Sequence, residues 1–339
     1  MPPTPSEAPN PGLIFETLLA NQRTAALVAA IQLDLFRAIG EGPADAPTLA
    51  TRCGASERGT RILCDYLTIM GLIQKAGGIY THSPTSAAFL DPRSPVCLAS
   101  MSRFLGMPTM QDPIHHLADI VRSGRTTLPG NGSVEPDNPV WVEFARSMAP
   151  MAALAAPLLA KAALRGRTGP MRVLDIAAGH GVYGIGVAKL NPDARITALD
   201  WAAVLEVAEE NARKAGVADR FEKLPGSAFD VDFGGPYDLA LVTNFLHHFS
   251  PETCTDFMRK VRGSLNPGGR AVILEMAPND DRVSPPVAAG FSLTMLTTTA
   301  EGDAYTKSQL VKFCLDAGFA KAEAHPLAPS PQTAVIAEA

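Results

Sequence analysis

The chain has 339 residues, of which 46% are hydrophobic and 19% are charged, and its formal net charge is −5 at pH 7. This length predicts two domains rather than a single hydrophobic core. Because a mildly acidic protein has no general attraction for phosphate backbones or anionic membranes, neither nucleic acid binding nor membrane insertion is expected.

The N-terminal segment and the cysteines indicate a reducing, cytoplasmic location. Residues 1–12 are proline-rich, have neither the basic nor the apolar region of a signal peptide, and are predicted to be a disordered lead. No pair of cysteines has C-x-x-C spacing, which predicts free thiols rather than a zinc site or disulfides. The cysteines are Cys53, Cys64, Cys97, Cys254 and Cys314.

Residues 13–100 are predicted to form a mainly helical domain. Apolar residues recur at helical spacing in residues 13–20, 23–39 and 58–72, and a short helix is expected at 48–52. A turn at Gly77 and Gly78, followed by a short strand at residues 79–81, completes the outline of a winged helix.

A winged helix can bind DNA, but the helix that would read it is largely apolar here. Arg58 and Arg61 stand near its start, and Asp65 is its one later charge. Packing against a second subunit is therefore favoured over DNA binding.

Residues 101–168 are predicted to be connecting helices that line a substrate pocket. Their most apolar part, residues 148–164, contains Pro150, Pro157 and Lys161. It is shorter than the roughly 20 apolar residues of a membrane span, so a packed helix is expected.

Residues 169–339 are predicted to form an α/β domain. Short apolar runs at 171–176, 195–199, 239–243 and 271–274 alternate with helical stretches at 182–190, 204–215 and 251–265. This alternation predicts a parallel sheet covered on both faces, and ligands of such sheets bind beyond the carboxyl ends of the strands.

The first strand is followed by a glycine turn of the kind that binds a nucleotide. Gly179, Gly181 and Gly184 match G-x-G-x-x-G, for which a nicotinamide cofactor is one interpretation. Asp175 argues against it, because a carboxylate repels a pyrophosphate but attracts an amino group such as that of a methionine moiety. Alternatively, Asp175 only caps the turn.

The next strand ends are expected to bind a nucleoside. Asp200 ends the second strand, where an acid can accept hydrogen bonds from both ribose hydroxyls of either rival cofactor. Trp201 is predicted to wall the adenine, or simply to pack, and Ser227 either contacts the adenine edge or serves only the turn. The same cofactor pocket is predicted to include Ala228, Phe229 and Asn244.

A histidine and a carboxylate are expected to meet at the fourth and fifth strand ends. His247 follows the fourth strand and Glu275 ends the fifth, which is the arrangement of an oriented general base. Ser250 and Pro251 then predict the start of a helix. No cysteine or carboxylate has metal-ligand spacing with His247 and His248, so no metal is expected.

Together these motifs resemble the class I methyltransferases, and more narrowly the small-molecule O-methyltransferases typified by the plant caffeate and isoflavone enzymes and by bacterial acetylserotonin- and hydroxyneurosporene-type relatives. The sequence DIAAGHG at 175–181 resembles the family's D-x-G-x-G-x-G, with Ala177 replacing the first glycine. DWAAV at 200–204 resembles D-L-P-x-V, and HHFSPE at 247–252 resembles H-D-W-S-D-E. The likeness covers nearly the whole chain.

The resemblance implies a winged-helix-like dimerisation domain, a Rossmann-like domain with a mostly parallel seven-stranded sheet, S-adenosylmethionine as cofactor, and a homodimer. It also implies that His247 is the catalytic base and that Glu275 is the first acid flanking it. Two positions depart from the family pattern. Ser227 replaces an acid beside the adenine, and Ala304 replaces the second flanking acid, for which Asp303 is the nearest substitute.

The acceptor pocket is predicted from methionine and aromatic residues at helical spacing, although such spacing is also that of a plain core. Methionine suits flat, variable aromatic molecules because it repacks easily, and the scarcity of charge favours an apolar or aromatic acceptor. The candidates are Met107, Met110, Trp141, Phe144, Met148, Met151, His248, Phe291 and Met295.

The expected reaction is methyl transfer from S-adenosylmethionine to a hydroxyl of a small metabolite. A neutral histidine can accept the hydroxyl proton as attack proceeds. Two alternatives remain at this point: N-, S- or C-methylation on the same scaffold, and a relative that binds the cofactor but performs decarboxylation or hydroxylation.

Overall fold

The computed structural model describes residues 9–134 and 138–339. The chain divides into two compact units, of which the first ends at Ser102 and the second covers Arg103–Ala339. The disordered lead predicted for residues 1–12 lies mostly outside the described residues.

The first unit consists of short helices and one β-hairpin, as the sequence predicts. Gly77 and Gly78 form the hairpin turn with positive φ angles of 55° and 83°. Leu35, Leu67 and Tyr80 belong to the hydrophobic core of this unit. The elements are α1 (Gly12–Leu18), α2 (Ala20–Gln32), α3 (Leu35–Gly40), α4 (Ala46–Cys53), α5 (Glu57–Ile69), β1 (Ile73–Ala76), β2 (Ile79–His82) and α6 (Pro84–Phe89).

The single helix predicted over residues 23–39 is wrong, because the chain breaks between α2 and α3. Asp34 has a φ of 52°, which is left-handed and ends any continuous helix. Ala30 before the break and Phe36 after it are both buried in the same core. The apolar pattern therefore continues across the break and gives no sign of it.

The connecting helices are α7 (Met101–Leu105), α8 (Pro108–His115), α9 (Leu117–Ser123) and α10 (Val140–Leu164). Within the described residues, α10 is the one helix long and apolar enough to cross a membrane by length and composition. Its residues Ala152, Ala156 and Leu159 belong to the hydrophobic core on one face of the large sheet. It is thus a core helix, as predicted.

The second unit is built on a seven-stranded sheet with the order β5-β4-β3-β6-β7-β9-β8. The strands from β3 to β7 are parallel, and β9 is antiparallel to both of its neighbours. The remaining elements are β3 (Met171–Ile176), α11 (Val182–Leu190), β4 (Ala194–Asp200), α12 (Ala202–Lys214), β5 (Phe221–Pro225), β6 (Tyr237–Thr243), α13 (Pro251–Gly263), β7 (Leu265–Glu275), α14 (Pro286–Thr298), α15 (Lys307–Asp316), β8 (Lys321–Pro326) and β9 (Thr333–Glu338).

The parallel, two-faced sheet predicted from the sequence is confirmed. Along β3, Val173 packs into one core and Leu174 into the other. The strand order reverses beside β3, which pairs with β4 on one side and with β6 on the other. A crevice for a ligand forms at such a switch point, beyond the carboxyl ends of the strands.

Candidate active site

A large pocket of about 1060 Å³ opens at these carboxyl ends, and every described residue that lines it belongs to the second unit. Its walls come from the turns after β3, β4, β5 and β6, from α10 and α14, and from the segment at residues 125–134. Its composition is mainly apolar with a few polar groups, as is usual for small-molecule sites.

The three glycines of the first turn serve different purposes. Gly179 lines the pocket with a φ of 58°. A Cβ at Gly181 would lie 3.0 Å from the Cβ of Ala208, and one at Gly184 would lie 2.6 Å from Oδ2 of Asp175. Gly179 thus lets the backbone reach a ligand, whereas Gly181 and Gly184 permit close packing behind it.

Asp175 and Gly181 do not line the pocket, contrary to their assignment as cofactor contacts. Asp175 has no exposed surface, and its Oδ2 accepts a hydrogen bond of 3.0 Å from the Gly184 N–H. Burial raises the pKa of Asp175 to about 7. The geometry is that of the alternative interpretation, in which Asp175 holds the turn.

Replacing Asp175 by Asn is expected to flatten the pH dependence of folding stability between pH 4 and 7. With its pKa raised, the folded protein retains a proton that the unfolded chain loses near pH 4. The free energy of unfolding that Asp175 contributes is therefore fully present below pH 4 and is lost as the pH rises through about 7, by a few kcal/mol at most.

Urea unfolding of the native protein and the Asp175→Asn variant across this pH range measures the effect. Asp193→Asn, which changes an exposed acid, is the control. Identical slopes for native protein and Asp175→Asn would contradict the assignment of a raised pKa.

Ala177, where the family pattern has glycine, is a strained position. Its φ of 50° lies in the left-handed region, which costs a residue with a Cβ roughly 1 kcal/mol or more. Ala177 also lines the pocket. Ala177 therefore holds a backbone conformation that favours glycine, at some cost in stability.

Asp200 lies on the pocket wall at the end of β4. Its Oδ2 accepts a hydrogen bond of 2.8 Å from the Gly179 N–H, and its Oδ1 accepts one of 2.7 Å from the Trp201 N–H. Each carboxylate oxygen can accept a further bond, so both remain able to bind the two hydroxyls of a ribose. Desolvation raises the pKa of Asp200 to about 6.

The residues predicted to surround the adenine line the same pocket: Trp201, Ser227, Ala228, Phe229 and Asn244. Ser227 Oγ accepts the Phe229 N–H at 3.2 Å, so it serves the turn even without a ligand. The Phe229 ring packs against Phe249 with 4.9 Å between centroids. Lys260 holds this loop by donating to the carbonyls of Ala228, Phe229 and Val231.

A polar chain beside Asn244 was not predicted. Asn244, with a φ of 52°, accepts a hydrogen bond of 2.7 Å from Gln332 and donates one of 3.4 Å to the Tyr183 hydroxyl. Tyr183 and Gln332 both line the pocket, as does His180. Gln332 precedes β9, a strand that the sequence pattern does not reveal. His180 and Tyr183, by contrast, stand beside the glycines of the first turn, and this position in the sequence is a usable sign that they line the pocket.

His247 and Glu275 form a buried pair at the ends of β6 and β7. His247 Nδ1 lies 2.5 Å from Glu275 Oε2, and Glu275 Oε1 accepts the backbone N–H groups of Phe245 and Leu246 at 3.0 and 2.9 Å. Since the carboxylate accepts the Nδ1 proton, the lone pair of Nε2 is left for the pocket that His247 lines. This is the geometry of an oriented base.

Asp303 does not act on His247 through its side chain, contrary to its assignment as a catalytic residue. Its carboxylate pairs with Arg282 at 2.7 Å, while its backbone N–H donates to the His247 carbonyl at 3.0 Å. A Cβ at the preceding Gly302 would lie 2.2 Å from that carbonyl, so this loop approaches His247 by its backbone. Ala304 is buried and carries no polar side-chain group.

Eight of the nine predicted acceptor residues line the pocket: Met110, Trp141, Phe144, Met148, Met151, His248, Phe291 and Met295. Met107, the N-cap residue of α8, does not line the pocket. The Phe291 ring stands edge-on to His247 with 5.0 Å between centroids. Burial lowers the pKa of His248, and neighbouring His247 adds to the effect, so His248 is neutral at pH 7.

Residues 125–134 lie within the stretch predicted to line the pocket, but they form a loop rather than a helix, and none of them is among the individual residues predicted for the site. Their Pro-Gly-Asn-Gly sequence is a recognisable loop signal. Thr126 donates to the Thr297 carbonyl, and the Ser133 N–H donates to the Thr298 carbonyl at 2.8 Å. These bonds fasten the loop to the end of α14 and close one side of the pocket.

The polar groups of the pocket fit a nucleoside, and the described residues give no sign of a metal site. Across residues 9–134 and 138–339, no group of three His, Cys, Asp or Glu side chains could hold a metal ion. Asp200 keeps free acceptor positions for a ribose, and Gly179 leaves backbone space beside it. The sheet order, the glycine turn and this carboxylate are the features of a Rossmann-like domain that binds a nucleoside.

The chain belongs to the O-methyltransferase family. The family's O-methyltransferase domain matches residues 114–320, and its dimerisation domain matches residues 15–92.

Individual relatives support this assignment over nearly the whole chain. Acetylserotonin O-methyltransferase of Mus musculus is 30% identical over 87% of this chain and 80% of its own. The 3-hydroxy-5-methyl-1-naphthoate 3-O-methyltransferase of Streptomyces sahachiroi is 26% identical over 93% and 91%. The crystal structure of a candidate O-methyltransferase from Nostoc punctiforme superposes with a TM-score of 0.94 at 43% identity, over 98% of this chain and 100% of that one.

Proposed function

We propose that this protein moves the methyl group of S-adenosylmethionine to a hydroxyl of a small aromatic or apolar metabolite, with His247 as the general base. The observation that carries the proposal is the buried His247–Glu275 pair. His247 lines a largely apolar pocket, and its Nε2 is free because Nδ1 is bonded to Glu275. Two relatives are named for hydroxylated or acylated aromatic acceptors, acetylserotonin and a hydroxynaphthoate.

When bound, S-adenosylmethionine supplies an electrophilic methyl group on a sulfonium centre. His247 takes the proton of the acceptor hydroxyl at Nε2 while Nδ1–H remains bonded to Glu275. The Glu275 charge then stabilises the imidazolium, and the N–H groups of Phe245 and Leu246 keep that carboxylate in place. Phe291 and Trp141 exclude water around the reacting groups and orient a flat acceptor.

A homodimer in the cytoplasm is part of the proposal. In the single chain, Leu13, Ile14 and Leu18 of α1 are 72%, 63% and 70% exposed, which is unfavourable unless a partner covers them. The five cysteines are all unpaired, as expected in a reducing compartment.

Incubation with S-adenosylmethionine and a panel of hydroxylated naphthoates, indoles and simple phenols tests the reaction. We expect some of these to gain one methyl group on oxygen, located by mass and NMR analysis of the product. The same compounds with the hydroxyl already methylated are the controls and should remain unchanged. Methylation at nitrogen, sulfur or carbon, or conversion without methyl gain, would contradict the proposed reaction.

A further inference from the structure

His180, in the middle of the glycine turn, has a defined tautomer. Its Nδ1 accepts a hydrogen bond of 3.2 Å from the Val182 N–H. Burial lowers the pKa of His180 to about 4, so the ring is neutral at pH 7. A neutral imidazole whose Nδ1 accepts must carry its proton on Nε2, and this ring therefore has an N–H donor at its far end.

The ring is held firmly and belongs to the pocket wall. It stacks on Phe144 with 6.3 Å between centroids and 18° between planes, and it contacts Tyr183 at 5.5 Å. Asn211 donates to the His180 carbonyl at 2.9 Å, which fixes the backbone below it. His180 is 4% exposed and lines the pocket, and none of the described residues accepts a hydrogen bond from Nε2.

The pocket offers few partners for an anion. Arg125 is the one lysine or arginine among the described lining residues, and it is exposed on a loop. His247 Nδ1 is committed to Glu275, and His248 is neutral. The His180 donor, by contrast, stands at the start of α11, where the helix dipole also favours negative charge.

We propose that the Nε2–H of His180 binds the carboxylate of the methionine part of S-adenosylmethionine and so selects the whole cofactor over truncated nucleosides. Asp200 binds the ribose on the neighbouring side of the same turn, since it accepts the N–H of Gly179, the residue before His180. The proposal rests on the cofactor class alone and is independent of the acceptor.

Calorimetric titration with three ligands tests it without measuring activity. S-adenosylhomocysteine has the carboxylate, its decarboxylated amine analogue lacks only that group, and 5′-methylthioadenosine lacks the whole amino-acid tail. In the native protein we expect S-adenosylhomocysteine to bind roughly 10-fold or more tightly than the decarboxylated analogue, as a hydrogen bond to a charged group predicts. Equal affinity would overturn the proposal without any variant.

Two substitutions separate the role of the Nε2–H donor of His180 from that of its Nδ1 acceptor. His180→Asn retains an acceptor for the Val182 N–H but ends too soon to reach the ligand, whereas His180→Gln retains a far N–H donor. We expect His180→Asn to weaken S-adenosylhomocysteine about 10-fold and the other two ligands less than about 2-fold, with His180→Gln near the native affinities. Thermal unfolding checks that each variant is folded.

A uniform loss for all three ligands would mean that His180 only shapes the turn, and unchanged binding of S-adenosylhomocysteine by folded His180→Asn would mean that it touches no carboxylate. Either result overturns the proposal. Failure of the native protein to bind any of the three would instead overturn the cofactor assignment, and this proposal with it.

Discussion

Replacing His247 by Gln is expected to lower kcat for methyl transfer by about 10²–10⁴-fold. Glutamine cannot take up the hydroxyl proton, although it has the size to fill the space beside Phe291 and His248. Because the ring stands at the acceptor end of the pocket and not on the glycine turn, the Kd for S-adenosylhomocysteine should change little. Single-turnover kinetics and calorimetry measure the two quantities separately.

Two companion variants sharpen this test. Glu275→Gln should retain its amide oxygen on the N–H groups of Phe245 and Leu246 and turn its NH₂ toward Nδ1, which moves the histidine proton to Nε2. A loss in kcat comparable to that of His247→Gln is therefore expected, with the Kd for S-adenosylhomocysteine again unchanged. His325→Gln alters a histidine on β8 that does not line the pocket and should retain native activity. Full activity of folded His247→Gln would remove the base from the mechanism.

Replacing Asp200 by Asn is expected to weaken S-adenosylhomocysteine by about 10- to 100-fold, since two hydrogen bonds to a charged group are altered. The amide would also bring an N–H₂ group against the N–H of Gly179 or of Trp201, where the carboxylate accepts both. Calorimetry at pH 8 measures the loss, and Asp219→Asn, an exposed acid after α12, is the matched control.

The pH dependence of binding provides a second readout for the same residue. Desolvation raises the pKa of Asp200 to about 6, so the free protein increasingly holds a proton there as the pH falls through 6. The protonated group loses acceptor capacity, and the native affinity should therefore decrease below pH 6. Asp200→Asn should lack this decrease, whereas Asp175→Asn should keep it. A flat native profile would contradict a ribose role for the ionised carboxylate.

Most of the candidate cofactor site could be predicted from the residues that follow each strand. A strand followed by glycines, and a next strand ended by an acid, places Gly179 and Asp200 at one sheet edge whatever the rest of the chain does. The same holds for His247 and Glu275, because parallel strands β6 and β7 are neighbours in register and their carboxyl ends meet. Ser250 likewise caps α13, as its position before Pro251 predicts.

Other features depended on contacts distant in sequence. Asp175 looked like a ligand contact because it stands between the strand and the glycines, but the alternation of side chains turns it toward Gly184 and away from the pocket. Asp303 was near enough in sequence to replace a missing acid, yet the ion pair with Arg282 directs its carboxylate elsewhere. The spacing of residues along the sequence does not specify where the carboxylate of either aspartate points.

The sequence by itself determined the fold class, the glycine turn and the pairing of His247 with Glu275, because each follows from short-range periodicity and from the residues that end adjacent strands. Only the tertiary structure decided the strained Ala177, the break at Asp34 and the chain from Tyr183 through Asn244 to Gln332. Gln332 and Asn244 are 88 residues apart. Their contact exists because β9 returns antiparallel beside β7, and a pairing of that range is set by global packing rather than by any local pattern.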